Sequence, residues 1–106
     1  MEIETLIEEV REYYPQCDPE LIRRAYAVAS QAHDGQMRAS GQPYVQHSLE
    51  TAALLADLHL DPATIAAAIL HDVPEDTGTP LETIRQEFGE EVAKLVDGVT
   101  KLSRIT

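Results

Sequence analysis

Hydrophobic positions recur at helical spacing along the chain, beginning at its N-terminus. The first set lies three or four positions apart with acidic residues between its members, and consists of Ile3, Leu6, Ile7 and Val10. This spacing predicts an amphipathic helix over about residues 3–14. Pro15 ends it, because proline cannot continue the backbone hydrogen bonding of a helix.

Two Asp-Pro pairs mark the beginnings of further helices. In each pair the aspartate suits the N-cap and the proline suits the first helical position. Asp18-Pro19 opens a helix that carries apolar residues to about residue 34. Asp61-Pro62 opens the segment ATIAAAILHD, which is apolar nearly all round and is therefore predicted to be the central, buried helix.

A loop follows the helix that Asp18-Pro19 opens. The segment GQMRASGQPY contains two glycines and a proline and has no apolar period, so residues 35–44 are predicted to be irregular. A helix with apolar leucines and alanines on one side follows over about residues 45–58.

Prolines also delimit the C-terminal third of the chain. Pro74 is expected to end the central helix and to push Val73 out of the α region. Thr79-Pro80 is expected to cap a helix that ends near residue 88, and a last helix is predicted over about residues 90–102.

These elements predict an all-α fold, a compact bundle of five or six helices in one domain. No alternating strand pattern or internal repeat is found in the 106 residues. The final KLSRIT carries no helix-stop signal, so we expect the domain to continue beyond this chain. With few neighbours available, the central helix is expected to leave an apolar face uncovered and to promote self-association.

Composition narrows the classes of partner. The formal net charge of −11 argues against nucleic acids and anionic membranes, which require a basic face. The single cysteine, Cys17, cannot form an intrachain disulfide and fits a cytoplasmic location. The acidic N-terminus lacks the order of a signal peptide, and no apolar run approaches the ~20 residues of a membrane span.

Four ionisable residues gather at the end of the central helix, in the sequence LHDVPEDT. His71 and Asp72 end the apolar segment, and Glu75 and Asp76 follow directly after Pro74. An anion in the last turn of a helix is disfavoured by the helix dipole, and three nearby carboxylates repel one another unless positive charge is present. A polar pair that merely marks where a core helix reaches the surface is the structural alternative.

Imidazole and carboxylate groups are the ligands expected for divalent Mn, Fe or Zn. His47, on a second predicted helix, supplies another imidazole and would complete a three-ligand set with room for water and substrate. Of the other histidines, His33 is interpreted as a structural hydrogen-bonding residue and His59 as an exposed one. Arg23 and its neighbour are assigned to an exposed helix face.

Three segments together resemble the N-terminal hydrolase domain of the RelA/SpoT homologues, the enzymes that make and destroy (p)ppGpp. They read AHDGQMRASGQPYVQH, ILHDVPEDT and FGEEVAKLVDGVTKL. The resemblance implies an all-α fold of the HD-domain type, of which residues 1–106 would be the N-terminal part. The remaining helices and any synthetase or regulatory domains would lie outside this chain.

The resemblance also implies a reaction and a set of site residues. The reaction is metal-dependent hydrolysis of the 3′-pyrophosphate of (p)ppGpp to GDP or GTP, within a bifunctional enzyme of the stringent response. The implied Mn²⁺ ligands are His47, His71 and Asp72, with a final aspartate ligand beyond residue 106. Glu75 and Asp76 match the family's catalytic acidic pair. Arg38, and less closely Ser40, match residues that contact the nucleotide.

Two interpretations of the function remain open from the sequence. The first is part of a (p)ppGpp hydrolase. The second is a catalytically inactive helical module that binds a partner or regulates a synthetase, which is compatible with an incomplete set of metal ligands. Metal binding by the chain, compared with a longer form, distinguishes the two.

Overall fold

The computed structural model describes residues 2–105, with side chains up to Lys101. Seven helical segments occur in this range: α1 Ile3–Tyr13, α2 Pro19–Ala32, α3 Tyr44–Asp57, α4 Pro62–Leu70, α5 Val73–Asp76, α6 Leu81–Phe88 and α7 Glu90–Ile105. Six of them have eight or more residues and α5 is a single turn of four. The predicted all-α bundle is confirmed. The side chains of residues 102–106, on which the expectation of a continuing domain rests, lie outside the described part.

Helix α4 occupies the centre of the bundle, as its uniformly apolar sequence predicts. It packs against α2, α3 and α7. The consecutive side chains from Ile65 to Leu70 are at most 3% exposed. Because these six consecutive side chains point to all sides of the helix and are all buried, the predicted uncovered apolar face on α4 is wrong.

The exposed apolar side chains lie elsewhere. Leu54 and Leu58, one turn apart on α3 and at its C-terminal end, are 66% and 69% exposed, and Met37 in the loop before α3 is 63% exposed. If the chain self-associates, we therefore expect the contact to form through the outer face of α3 and not through α4.

The two Asp-Pro pairs begin helices as predicted, with different capping contacts. The carboxylate of Asp18 accepts a hydrogen bond from the backbone N–H of Glu20 at 3.0 Å. The carboxylate of Asp61 instead accepts from the hydroxyl of Thr64 at 2.7 Å. Pro62 is fully within the first turn of α4 and is buried there.

Two boundary predictions in the C-terminal third are wrong. Val73 is not extended but begins the single-turn helix α5, because the N–H of Thr77 donates to the Val73 carbonyl at 3.2 Å. Pro74 sits in the first turn of this new helix, where its missing N–H has no intrahelical acceptor to lose. Helix α6 begins at Leu81 with Pro80 at the N-cap, so Thr79 does not form the predicted capping box.

Within the described part of the chain, no helix combines the length and apolar character needed to cross a membrane.

Candidate metal centre

The end of α4 brings His71 and Asp72 side by side. Helix α4 ends at Leu70, His71 is its C-cap, and Asp72 is the N-cap of α5. The Nε2 atom of His71 lies 3.1 Å from Oδ2 of Asp72, and the two side chains are 12% and 23% exposed. The imidazole and the carboxylate therefore present their heteroatoms to the same point, with limited access to water.

The other ring nitrogen of His71 fixes the orientation of the imidazole. Nδ1 lies 2.6 Å from the backbone carbonyl of Ala68. A carbonyl oxygen only accepts, so Nδ1 carries a proton. Nε2 is then free to act as a metal ligand or, in the doubly protonated ring, to donate to Asp72. A backbone carbonyl that holds the second ring nitrogen is the usual support of a metal-bound histidine.

The pKa values of His71 and Asp72 both differ from their ordinary values. Burial lowers the pKa of His71, but the hydrogen bonds to Asp72 and to the Ala68 carbonyl more than offset it and raise the pKa above its ordinary value. Burial raises the pKa of Asp72, but His71, Tyr44 and the charge of His47 together lower it below its ordinary value. The environment thus favours an ionised carboxylate beside a positive charge, which either a protonated imidazole or a cation supplies.

A tyrosine at the start of α3 joins the two acidic positions. The hydroxyl of Tyr44 lies 3.0 Å from Oδ2 of Asp72 and 3.1 Å from Oδ2 of Asp76. Burial and the negative charge of Asp72 raise the pKa of Tyr44, so the phenol keeps its proton and serves as the donor. Asp72 and Asp76 both lie within hydrogen-bond distance of this hydroxyl and share its single proton.

A chain of hydrogen bonds also links Asp76 to His33, the C-cap of α2. His33 is 3% exposed and its Nδ1 lies 2.8 Å from Oε1 of Gln36. The side-chain nitrogen of Gln36 donates to the backbone carbonyl of Asp76 at 2.9 Å. The ring of His33 also stacks on Tyr44, with centroids 4.6 Å apart. His33 is therefore the structural hydrogen-bonding residue that the sequence suggested, and it supports the acidic turn.

His47 lies on the same face of α3 as Tyr44, one turn further along. Their rings meet edge to face with centroids 6.0 Å apart, and the charge of His47 contributes to the lowered pKa of Asp72. Among the described residues, no three His, Cys, Asp or Glu side chains are close enough together to hold a metal ion. The convergence of His47 with His71 and Asp72 on one ion therefore stays a prediction.

The loop before α3 exposes the two predicted nucleotide contacts, Arg38 and Ser40. The N–H of Arg38 donates to the carbonyl of Gln42 at 2.9 Å, and the N–H of Gly41 donates back to the Arg38 carbonyl at 2.8 Å. Gly41 has a φ of +90°, a conformation that glycine adopts without strain. In this tight turn the guanidinium of Arg38 and the hydroxyl of Ser40 are exposed to solvent.

Glu75 and Asp76 lie on α5 at the edge of an open cleft of about 420 Å³. The cleft is lined by Pro74, Glu75, Asp76, Leu81, Asp97 and Thr100. The acidic pair is exposed, in contrast to the half-buried His71 and Asp72. Solvent therefore has direct access to both carboxylates.

The donor set fits a divalent cation. His71 offers one ring nitrogen with the other nitrogen already engaged, and it faces an ionised carboxylate oxygen at 3.1 Å. Nitrogen and carboxylate oxygen donors with hydrogen-bonded supports are those that Mn, Fe and Zn sites use. His47 is the third donor of the proposed set.

The remaining predicted residues lie away from this centre. His59 is exposed and stacks on Tyr13 with centroids 4.5 Å apart. Arg23 pairs with Glu4 and Glu20 on the outer surface of α2. Both placements agree with the sequence interpretation.

Sequence reasoning missed Tyr44 and Gln36, which connect the predicted site residues. One signal was available for Tyr44: it precedes His47 by three positions, and residues three apart share a helix face. No local pattern indicates the link from Gln36 to Asp76, because 40 positions separate these two residues, although the other side-chain partner of Gln36, His33, is only three positions away.

The chain belongs to the HD domain family, whose model matches residues 25–106. This range contains every residue of the candidate metal centre. The expectation of an HD-type domain is therefore confirmed.

Named relatives agree with the predicted resemblance to RelA/SpoT homologues. The chain is 51% identical over 100 residues to GTP pyrophosphokinase rsh of Brucella ovis. It is 48% identical over 103 residues to a probable GTP pyrophosphokinase of Mycobacterium leprae and, over the same length, to guanosine-3′,5′-bis(diphosphate) 3′-pyrophosphohydrolase of Aquifex aeolicus. These matches cover 94–97% of this chain but only 13–15% of the relatives.

Proposed function

We propose that the chain carries the ligand-bearing part of a metal-dependent hydrolase that removes the 3′-pyrophosphate of (p)ppGpp. The observation that supports this most is the grouping of Asp72 and Asp76 at the Tyr44 hydroxyl, at 3.0 and 3.1 Å, with Nε2 of His71 3.1 Å from the same Oδ2 of Asp72. A pair of nitrogen and oxygen donors thus lies beside a second, solvent-accessible carboxylate. The name of the Aquifex aeolicus relative describes the same reaction.

His47, His71 and Asp72 would hold the metal, for which we propose Mn²⁺. A fourth ligand, an aspartate, would come from beyond residue 106. When bound, such an ion lowers the pKa of a water molecule and offsets the charge of the phosphates. The carbonyl of Ala68 would keep His71 oriented, since it already holds Nδ1 at 2.6 Å.

Glu75 and Asp76 would accept the proton of the attacking water. They are exposed at the cleft and lie directly beyond the His71-Asp72 turn. In the reaction, the water oxygen bonds to the phosphorus attached to the 3′ oxygen. The bond between that phosphorus and the 3′ oxygen breaks, pyrophosphate leaves, and the 3′ oxygen takes up a proton to give GDP or GTP.

Arg38 and Ser40 would bind the nucleotide from the exposed turn before α3. A guanidinium can pair with phosphate or stack on a base, and a hydroxyl can donate to either. With a net charge of −11, the protein would use these few local donors and the metal to bind an anionic ligand. The same charge disfavours nucleic acid as a partner.

We place the protein in the cytoplasm. Cys17 is a free thiol that is 5% exposed, which fits a reducing compartment. The whole protein would combine hydrolysis with (p)ppGpp synthesis, in keeping with the name GTP pyrophosphokinase of two of the relatives.

A second candidate is a helical regulatory module that no longer turns over its ligand. It is favoured by one observation, namely that no three donor side chains among the described residues lie close enough to hold an ion. This candidate predicts binding of (p)ppGpp without release of pyrophosphate.

Substitutions in the acidic pair test the hydrolase assignment. In the full-length protein at saturating Mn²⁺, Glu75→Gln or Asp76→Asn should lower the hydrolysis rate roughly 10²–10⁴-fold, the usual contribution of a positioned acid–base group. Metal affinity should change much less. His71→Ala should abolish metal binding and hydrolysis together, whereas synthesis should survive all three substitutions. Wild-type rates in both acidic-pair variants would mean that Glu75 and Asp76 have no part in the chemistry.

A further inference from the structure

We infer that Tyr44 is a positioning residue that holds the side chain of Asp76 against Asp72. The two carboxylates come from either end of the turn Asp72–Asp76, and Tyr44 comes from a different helix. The catalytic part of this inference rests on the proposed hydrolase function. Its structural part, a coupling between Tyr44 and Asp76, does not.

The contact geometry gives the phenol a role that no other described side chain shares. Its oxygen lies 3.0 Å from Oδ2 of Asp72 and 3.1 Å from Oδ2 of Asp76. Two carboxylates gathered at one point repel each other unless a donor or a cation lies between them. Removal of the hydroxyl would leave Asp76, which is exposed, free to turn into solvent.

The hydroxyl is itself held firmly in place. The Tyr44 ring stacks on the buried ring of His33, with centroids 4.6 Å apart. The backbone N–H of Tyr44 donates to the carbonyl of Gln36 at 3.0 Å. Because Gln36 also donates to the backbone carbonyl of Asp76 at 2.9 Å, the same loop positions both ends of the Tyr44–Asp76 contact.

The two carboxylates differ in how strongly they depend on Tyr44 for their position. Asp72 is half-buried and tied to His71, so its place does not depend on Tyr44 alone. Among the described side chains, the Tyr44 hydroxyl is the hydrogen-bond donor to the Asp76 carboxylate, so the direction of that carboxylate depends on the phenol. Hydrogen bonds that orient the ligands of a metal site are typically worth about 10–100-fold in activity or affinity, and we expect an effect in this range from the bond that orients Asp76.

The test compares Tyr44→Phe with Tyr13→Phe. Both changes remove only a hydroxyl, and Tyr13 donates to the carbonyl of Leu60 at 2.6 Å, far along the sequence from the candidate centre. The first arm uses the metal-free chain and chemical denaturation. In a double-mutant cycle with Asp76→Ala, Tyr44→Phe should show a coupling of roughly 5–10-fold in the unfolding equilibrium constant. Tyr13→Phe should show none.

The second arm measures (p)ppGpp hydrolysis by the full-length protein. Tyr44→Phe should lower kcat by about 10–100-fold with little change in KM, because the proposed role of Asp76 is to accept a proton from the attacking water and not to bind the substrate. In the Asp76→Ala background the same change should lower kcat less than twofold further, since its effect passes through Asp76. Tyr13→Phe should leave kcat unchanged in both backgrounds.

The two arms separate the possible failures. Additive unfolding effects of Tyr44→Phe and Asp76→Ala would overturn the inference, whatever the function. So would an undiminished loss of kcat on Tyr44→Phe in the Asp76→Ala background, which would assign the effect to Asp72. Absence of hydrolysis by the wild-type protein would instead overturn the proposed function, and the unfolding cycle would still decide the coupling.

Discussion

The hydroxyl of Thr100 on α7 lies 3.2 Å from the backbone carbonyl of His71, although 29 positions separate the two residues. It also lies 2.9 Å from the carbonyl of Val96 within its own helix. Helix α4 ends at Leu70, so the His71 carbonyl is one of the helix-end acceptors that the helix itself does not satisfy. Thr100 therefore joins α7 to the turn that carries the candidate metal ligands.

Thr100→Val should lower the free energy of unfolding by about 0.5–1.5 kcal/mol, the usual net contribution of one hydrogen bond, because the partly buried carbonyl of His71 loses its donor. Thr100→Ser keeps the hydroxyl and serves as the matched control, with a smaller effect. Urea denaturation of the three proteins measures the difference. Equal destabilisation by valine and serine would show that the methyl group, and not the hydrogen bond to His71, stabilises this contact.

Glu9 on α1 interacts with Asp57 at the end of α3, and the pair predicts a pH dependence of stability. The interaction with Asp57, together with burial and the charge of Glu12, raises the pKa of Glu9 above its ordinary value of 4.5. The folded state therefore prefers the protonated acid. Stability falls as the pH rises from 4.5 through the raised pKa, and the unfavourable contribution is fully present above it.

Glu9→Gln should accordingly stabilise the chain near pH 7, by about 0.5 kcal/mol or roughly 2–4 °C in Tm. Below the ordinary pKa of a glutamate the advantage should disappear, since both states are then protonated. Glu8→Gln, at the neighbouring exposed position, removes the same charge without touching Asp57 and is the control. The same gain in Glu8→Gln, or a gain that persists at low pH, would assign the effect to net charge alone.

The outer face of α3 is where we expect weak self-association. Leu54 and Leu58 are 66% and 69% exposed and one turn apart, whereas the net charge of −11 opposes close approach. Sedimentation velocity at increasing concentration should show a rising average mass in moderate salt. Replacing both leucines with glutamine should remove it, and Met37→Gln, at a side chain 63% exposed, should not. A monomer at all concentrations would refute this expectation.

The sequence predicted most of the helices because their signals are local. Asp18-Pro19 and Asp61-Pro62 begin α2 and α4 where expected, and the uniformly apolar α4 is the buried centre. The error at Val73 has a physical reason. A residue before proline is only biased away from the helix, and the turn Val73–Asp76 overrides that bias through its own hydrogen bonds.

The candidate site was predictable in its reactive groups but not in their connections. His71 and Asp72 are adjacent in the sequence, and their side chains meet at 3.1 Å. Tyr44 and Asp76 are 32 positions apart, and the sequence contains no local pattern that pairs them. Such contacts depend on how α3 and α5 pack, which residue spacing within one helix does not determine.

Product analysis with (p)ppGpp tests the central claim most directly. The full-length protein, the His71→Ala variant and the His59→Ala control are each incubated with ppGpp and Mn²⁺, and the nucleotides and released phosphates are separated. We predict that wild type and His59→Ala convert ppGpp to GDP and pyrophosphate, and that His71→Ala leaves it intact. Intact ppGpp with the wild-type protein, cleavage at the 5′ end, or unchanged hydrolysis by His71→Ala would contradict the account.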